Sequence, residues 1–334
     1  LAVMQRMYPE VVALQLRHIQ PEPYAGLDVP FLWDYFALAQ VAKLCETKGP
    51  PEHVHIYSGC YTETIRYLKL YGDLDERHRN FTKVSITCPA HDRNLSIKER
   101  GPAYYLPHID IPELWQQHSE GYKLADLVIV PGEAPRRFLE SEGVDPKKMV
   151  VIPHGIEKFP ETVLPFPDRF IVGYLGAYGP DKGVKYLLEA WGRLALSDAE
   201  LWLAGSGSEG LEKMVRQYVP AGKVRLLGWV DDPYQFYQHL SVYVQPSVCE
   251  GFGIEVAEAI ACGRPCIVST GAGAADLMKK AWTKHDGVTA GYTVPPADVE
   301  RLVGMIDLFY AVFTQPKWKE QCIQYGVNAR KVAR

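Results

Sequence analysis

Glu250 and Glu258 stand in the stretch PSVCEGFGIEVAEAIACGRPCIVST, with Phe252 set between two glycines. The preceding SVYVQPS reads as a strand ending near Pro246, and a helical pattern begins near Ile254. Gly251 and Gly253 permit a tight turn and a close approach of ligand to backbone. The amides of Gly251, Phe252, Gly253 and Ile254 are those of a helix start, and with the helix dipole they suit a phosphate anion. A carboxylate would repel that phosphate. Both glutamates are better used as acceptors for sugar hydroxyls, which an ionised carboxylate can take through two oxygens. Hydroxyls on either side of a diphosphate describe a nucleotide sugar.

Other residues compete for a chemical role. Lys182 in GPDKG sits just before a helix and adds positive charge to a second anion site, although a lone lysine is most often solvated. His91 in TCPAHDR follows a strand, and the bland alternative is a histidine in an exposed loop. GSGSEG at Gly205–Gly210 matches a dinucleotide fingerprint, but it follows the second strand of its half rather than the first. DLD at Asp73–Asp75 follows a helix instead of ending a strand, so it reads as a solvated loop. No HExxH occurs, and none of the seven cysteines forms a CxxC pair, so no metal site is expected. The thiols read as reduced and mostly buried, as in a cytoplasmic protein.

Positioning these residues requires an α/β scaffold. Strands are expected at 10–18, 53–59, 81–90, 125–132 and 148–155, alternating with helices at 31–49, 61–72, 114–124 and 134–143. KFPETVLPFPDRF carries three prolines without a period and reads as a linker. The alternation then restarts. Strands at 170–176, 200–205, 223–230, 241–247 and 265–270 interleave with helices at 184–194, 211–219, 233–240, 254–263 and near 275–282, before a last strand and helix in 291–309. The pattern implies two doubly wound parallel-sheet domains, residues 1–158 and 166–334, facing a cleft. At 334 residues, two domains are the natural expectation. The net charge of −4, with no basic stripe in either half, argues against nucleic acid as a partner. No apolar run has the length of a membrane span, and peripheral membrane contact is left open. The opening LAVMQRMYPE reads as the inside of a domain, with a strand and loop expected before Leu1.

The ordered segments resemble a family. Glu250, seven residues, then Glu258 followed by Ala259 looks like the EX7E motif of retaining glycosyltransferases of the GT-B fold, the family 4 group. ADLVIVPGEAPRRFLE and MVVIPHGIE resemble the end of its acceptor domain. VGYLGAYGPDKGVKYLLEAW resembles the opening of its donor domain, and LWLAGSGSEG, VRLLGWVDD, CGRPCIVST and GYTVPPADVERL fall where it has similar segments. The likeness covers about residues 80–312. It implies that Glu250 contacts the donor sugar, Glu258 the ribose and Lys182 the diphosphate. It also implies that His91 approaches the transferred sugar and that Arg225 lies where the base is read. The family places an arginine after a glycine ahead of that lysine; here Gly176 is followed by Ala177. The resemblance implies transfer of a hexose from a nucleoside diphosphate sugar to a glycan, lipid or small-molecule acceptor, with retention and without a cofactor. A catalytically inactive nucleotide-sugar-binding protein, a glycoside phosphorylase and a sugar-nucleotide epimerase share the fold. An NAD oxidoreductase rests on GSGSEG alone.

Overall fold

The computed structural model describes residues 38, 41–43, 45, 53–57, 62–74, 83–87, 119–157, 160–206, 210–219, 223–278, 290–315, 327 and 330. The expected strand at 10–18 and the His91 loop lie outside them. The chain divides into two compact units: residues 1–85 with 112–126, and residues 86–111 with 127–334.

β1 (His53–Tyr57) neighbours β2 (Lys83–Thr87), with α1 (Thr62–Leu74) between them in sequence. The helix passes Gly72, where the sequence pattern closes it, because a glycine in a last turn weakens a helix without ending it. Ile65 and Leu68 are buried on its inner face, as are Val84 and Ile86 of β2. Asp126, after the helical residues 119–124, takes a hydrogen bond from the Val84 amide (2.8 Å) and pairs with Lys69.

The second unit opens with β3 (Leu127–Val130), α2 (Glu133–Ser141) and β4 (Met149–Val151), the two strands pairing in parallel. Residues 160–169 have no regular structure, as the prolines predict. The fully buried Arg264 fixes them: its Nη2 donates to the Leu164 carbonyl (2.7 Å) and the Gln238 carbonyl (2.8 Å), and its guanidinium lies 4.4 Å from the Phe166 ring centroid.

The elements that follow are β5 (Phe170–Leu175), α3 (Val184–Arg193), β6 (Ala199–Ala204), α4 (Leu211–Tyr218), β7 (Val224–Gly228) and α5 (Pro233–Gln238). Then come β8 (Val242–Gln245), α6 (Ile254–Ala261), β9 (Cys266–Ser269), β10 (Gly291–Val294) and α7 (Val299–Phe313). Their sheet runs β10-β9-β8-β5-β6-β7, and every pairing is parallel. Counted from β5, this is the 3-2-1-4-5-6 strand order of a doubly wound Rossmann sheet, read from its other edge. Helices cover both faces of such a sheet, so its central strands are apolar throughout: β8 and β9 are buried at every residue, and β5 at all but Leu175. The strand order reverses between β5 and β8. At such a reversal doubly wound sheets bind ligands, at the carboxyl ends of the strands.

Candidate functional site

Lys182 follows β5 and Glu250 follows β8, so the reversal in strand order brings together two residues 68 positions apart. Their side chains form a largely buried ion pair between Lys182 Nζ and Glu250 Oε2. Burial works against the lysine's charge, but Glu250 outweighs it and holds the ammonium above its ordinary range.

Backbone contacts fix both partners. The turn Pro180–Lys182 is closed by Gly183 in the left-handed region (φ 70°). A Cβ there would stand 2.1 Å from the Pro246 carbonyl oxygen. The carbonyl of Asp181 accepts from the amides of Val248 (2.8 Å) and Cys249 (3.3 Å), tying the two loops together. The Glu250 amide donates to the Gly271 carbonyl (3.0 Å), which anchors the second loop to the end of β9.

Gly253 forms the N-cap of α6, also in the left-handed region (φ 87°). Phe252 is buried and packs edge-to-face against His154 at 5.4 Å, while Ile254 is partly exposed at 40%. Glu258 lies a turn further along, half-buried, and accepts a hydrogen bond from Tyr237 Oη (2.9 Å). Burial raises its carboxyl above the usual range, against the pull of that hydrogen bond.

Several residues of this neighbourhood were missed in the sequence. Glu255, half-buried on the first turn of α6, has its carboxyl raised by burial and then by Glu250, with Lys182 acting in opposition. Beneath the loops, Tyr174 Oη donates to the Ala177 carbonyl (2.5 Å). Tyr243 Oη lies 2.6 Å from Gln245 Oε1, and Gln245 Nε2 donates to Ser247 Oγ (2.8 Å). Tyr174, Tyr243, Gln245 and Ser247 are all buried. Only Gln245 carried a signal in the sequence, as a polar group ending the otherwise apolar β8, which needs a hydrogen-bonded partner once buried.

The other sequence candidates fall as follows. Gly176 ends β5 beside this group, with its ideal Cβ position 3.8 Å from Glu255 Oε1. Arg225, on β7 at the sheet edge, is engaged by Glu200 (Nε to Oε2 2.8 Å) and stands over the Trp202 ring at 5.5 Å. Glu200 also pairs with Arg169. His91 lies outside the described residues. GSGSEG begins after β6, where the Ser206 carbonyl accepts from the Tyr178 amide (3.1 Å). Among the described residues, no group of three or more His, Cys, Asp or Glu is placed to hold a metal ion, and no helix is long and apolar enough to cross a membrane. Cys45, Cys249, Cys262 and Cys266 are buried.

Comparison with known proteins first defines the fold. Sucrose-phosphate synthase from Thermosynechococcus elongatus superposes with a TM-score of 0.66 over 96% of this chain and 77% of its own, at 23% identity. Anabaena HepE, solved in complex with UDP-glucose, superposes with a TM-score of 0.58 over 88% of this chain and 76% of its own, at 17% identity. With the parallel sheets and alternating helices above, these likenesses show an α/β, Rossmann-like fold of the GT-B class. The sequence then narrows the class. Residues 169–310, which hold Lys182, Glu250, Glu255 and Glu258, match the family "Glycosyl transferases group 1". An uncharacterized glycosyltransferase of Methanocaldococcus jannaschii is 36% identical over 117 residues, 34% of this chain and 30% of that protein. The lipopolysaccharide core biosynthesis glycosyltransferase LpsE of Rhizobium meliloti is 31% identical over 146 residues, 43% of this chain and 40% of that protein. The matched stretch therefore spans less than half the length of these relatives.

Proposed function

We propose that this chain is a glycosyltransferase of the EC 2.4 type, moving a hexose from a nucleoside diphosphate sugar to an acceptor hydroxyl with retention of anomeric configuration. The observation that carries the reading is the Lys182–Glu250 pair at the strand-order reversal, within the segment that matches group 1 glycosyltransferases. Lys182 and the start of α6 offer positive charge to a diphosphate. Glu250 and Glu258 offer carboxylate oxygens to hydroxyls on its two sides. HepE's complex with UDP-glucose supports the donor class, and LpsE's role in lipopolysaccharide core synthesis supports a glycan acceptor. On this reading residues 166–334 carry the donor and residues 1–158 the acceptor.

In the reaction, the bond from the anomeric carbon to the diphosphate oxygen breaks and the diphosphate keeps the bonding pair. A new bond forms from the acceptor oxygen to that carbon, and the acceptor's proton is released. The protein contributes by positioning both substrates and stabilising charge on the departing diphosphate, a task for preorganised cations and amides. Retention rests on the resemblance of the Glu250–Glu258 segment to retaining enzymes. NMR of the first-formed product tests it, with the donor's anomeric configuration expected. An inverted anomer, together with complete loss of turnover in His91→Ala, would instead make His91 a general base.

A further inference from the structure

The donor reading leaves Glu255 without a task. Its carboxylate faces the same space as the Lys182–Glu250 pair, with Oε1 3.8 Å from where a Cβ on Gly176 would stand, at the end of β5. It is the second residue of α6, so it lies at the helix start that suits a diphosphate. The charged and titratable groups facing this space come from six elements: Lys182 and Asp181 from the turn after β5, Glu250 from the loop after β8, Glu258 from α6, Tyr174 from β5, Tyr243 from β8 and Tyr237 from α5. Lysine is opposed here by several carboxylates, an unusual balance for a surface meant to hold phosphates.

We infer that Glu255 is a charge-selecting residue of the donor site, disfavouring the free nucleoside diphosphate left after transfer more than the donor itself. The inference rests on the donor reading above. A nucleoside diphosphate sugar carries two negative charges on its diphosphate. Breaking the bond to the sugar leaves a terminal phosphate whose further ionisation, with a pKa of about 6, adds a third at neutral pH. A fixed carboxylate in a half-buried setting acts more strongly on that extra charge than it would in open water. Product is thereby expelled while Lys182 still holds the donor. The Glu255 carboxyl is raised first by burial and, to a smaller extent, by the neighbouring Glu250 and Glu258.

The test is calorimetric titration of UDP and UDP-glucose, GDP and GDP-mannose, and ADP and ADP-glucose into the wild-type chain and into Glu255→Gln at pH 7.5. The pair that binds is then repeated at pH 5.5. The isosteric variant should bind the free diphosphate about tenfold more tightly, with a much smaller change for its sugar ester, since one charge–charge contact at this depth has that order of strength. At pH 5.5 the difference should shrink, because the terminal phosphate then carries one charge. Glu255→Ala gives the same comparison should the glutamine variant not fold. Equal tightening of both ligands would overturn the inference while leaving the donor reading standing. Loss of the sugar ester alone would also overturn it, making Glu255 a hydroxyl acceptor. Binding of none of the three pairs by the wild type would overturn the donor reading and this inference with it.

Discussion

At the residue scale, Glu250 and Glu258 differ in what holds them. Glu250 is tied to Lys182, whereas Glu258 accepts from Tyr237. Replacing either with alanine removes a charged acceptor, whose hydrogen bond is worth about 1.5–3 kcal/mol. Glu250→Ala and Glu258→Ala should each slow transfer by roughly tenfold or more with unchanged circular dichroism; wild-type rates in both would separate the pair from the chemistry. Glu258 also bears on stability. Its carboxyl is raised in the folded state, so over the window above the ordinary glutamate range the folded chain binds the proton more tightly than the unfolded chain. Stability from this group therefore falls as pH rises through that window. Glu258→Gln should melt higher than wild type at pH 7.5 while losing activity, and the gap should close as pH falls to the carboxylate range. A gap that widens on acidification would contradict the sign.

At the element scale, the site depends on two short turns locked to each other. The left-handed Gly183 lets the Pro180–Lys182 turn lie against Pro246, and the Asp181 carbonyl then pairs with two amides of the next loop. Gly183→Ala adds a side chain where the left-handed backbone alone costs roughly 1–2 kcal/mol, and its Cβ meets a backbone oxygen that no rotamer can move. This variant should keep its secondary structure and lose nucleotide binding, measured by titration, because Lys182 is displaced from Glu250. Full retention of binding would show that the turn does not set the lysine's position. The helices and strands around these turns were largely legible in the sequence. Apolar runs between glycines and prolines gave β5, β6, β8, β9 and α3 almost to the residue, because buried parallel strands and amphipathic helices write their burial into composition. Several ends differ, among them β4, which stops at Val151, and α1 and α7, which run on to Leu74 and Phe313, since strand and helix ends follow pairing and packing partners rather than local pattern.

At the scale of the whole molecule, the strand order was the part that periodicity could not supply. An alternating pattern implies a parallel sheet, but only the placement of β8 beside β5 puts Glu250 against Lys182. For the same reason Glu250, Glu258 and Lys182 could be read as candidates from local spacing, while Glu255, Tyr174 and Tyr243 could not; their relevance comes from residues distant in sequence. Arg225, which the resemblance puts where the base is read, is held on β7 in an ion pair with Glu200. On the donor reading, Lys182 and Glu250 form the diphosphate end of a nucleotide-sugar site. The most direct measurement is the affinity of a panel of nucleotide sugars, and of the matching bare nucleosides, for wild type and Lys182→Ala. At least one nucleotide sugar should bind wild type and stabilise it by mass action. In the variant its affinity should drop by about tenfold or more, as expected for losing a charge-assisted contact, while the nucleoside changes little. Equal losses for nucleotide sugar and nucleoside, or no loss for either, would contradict it.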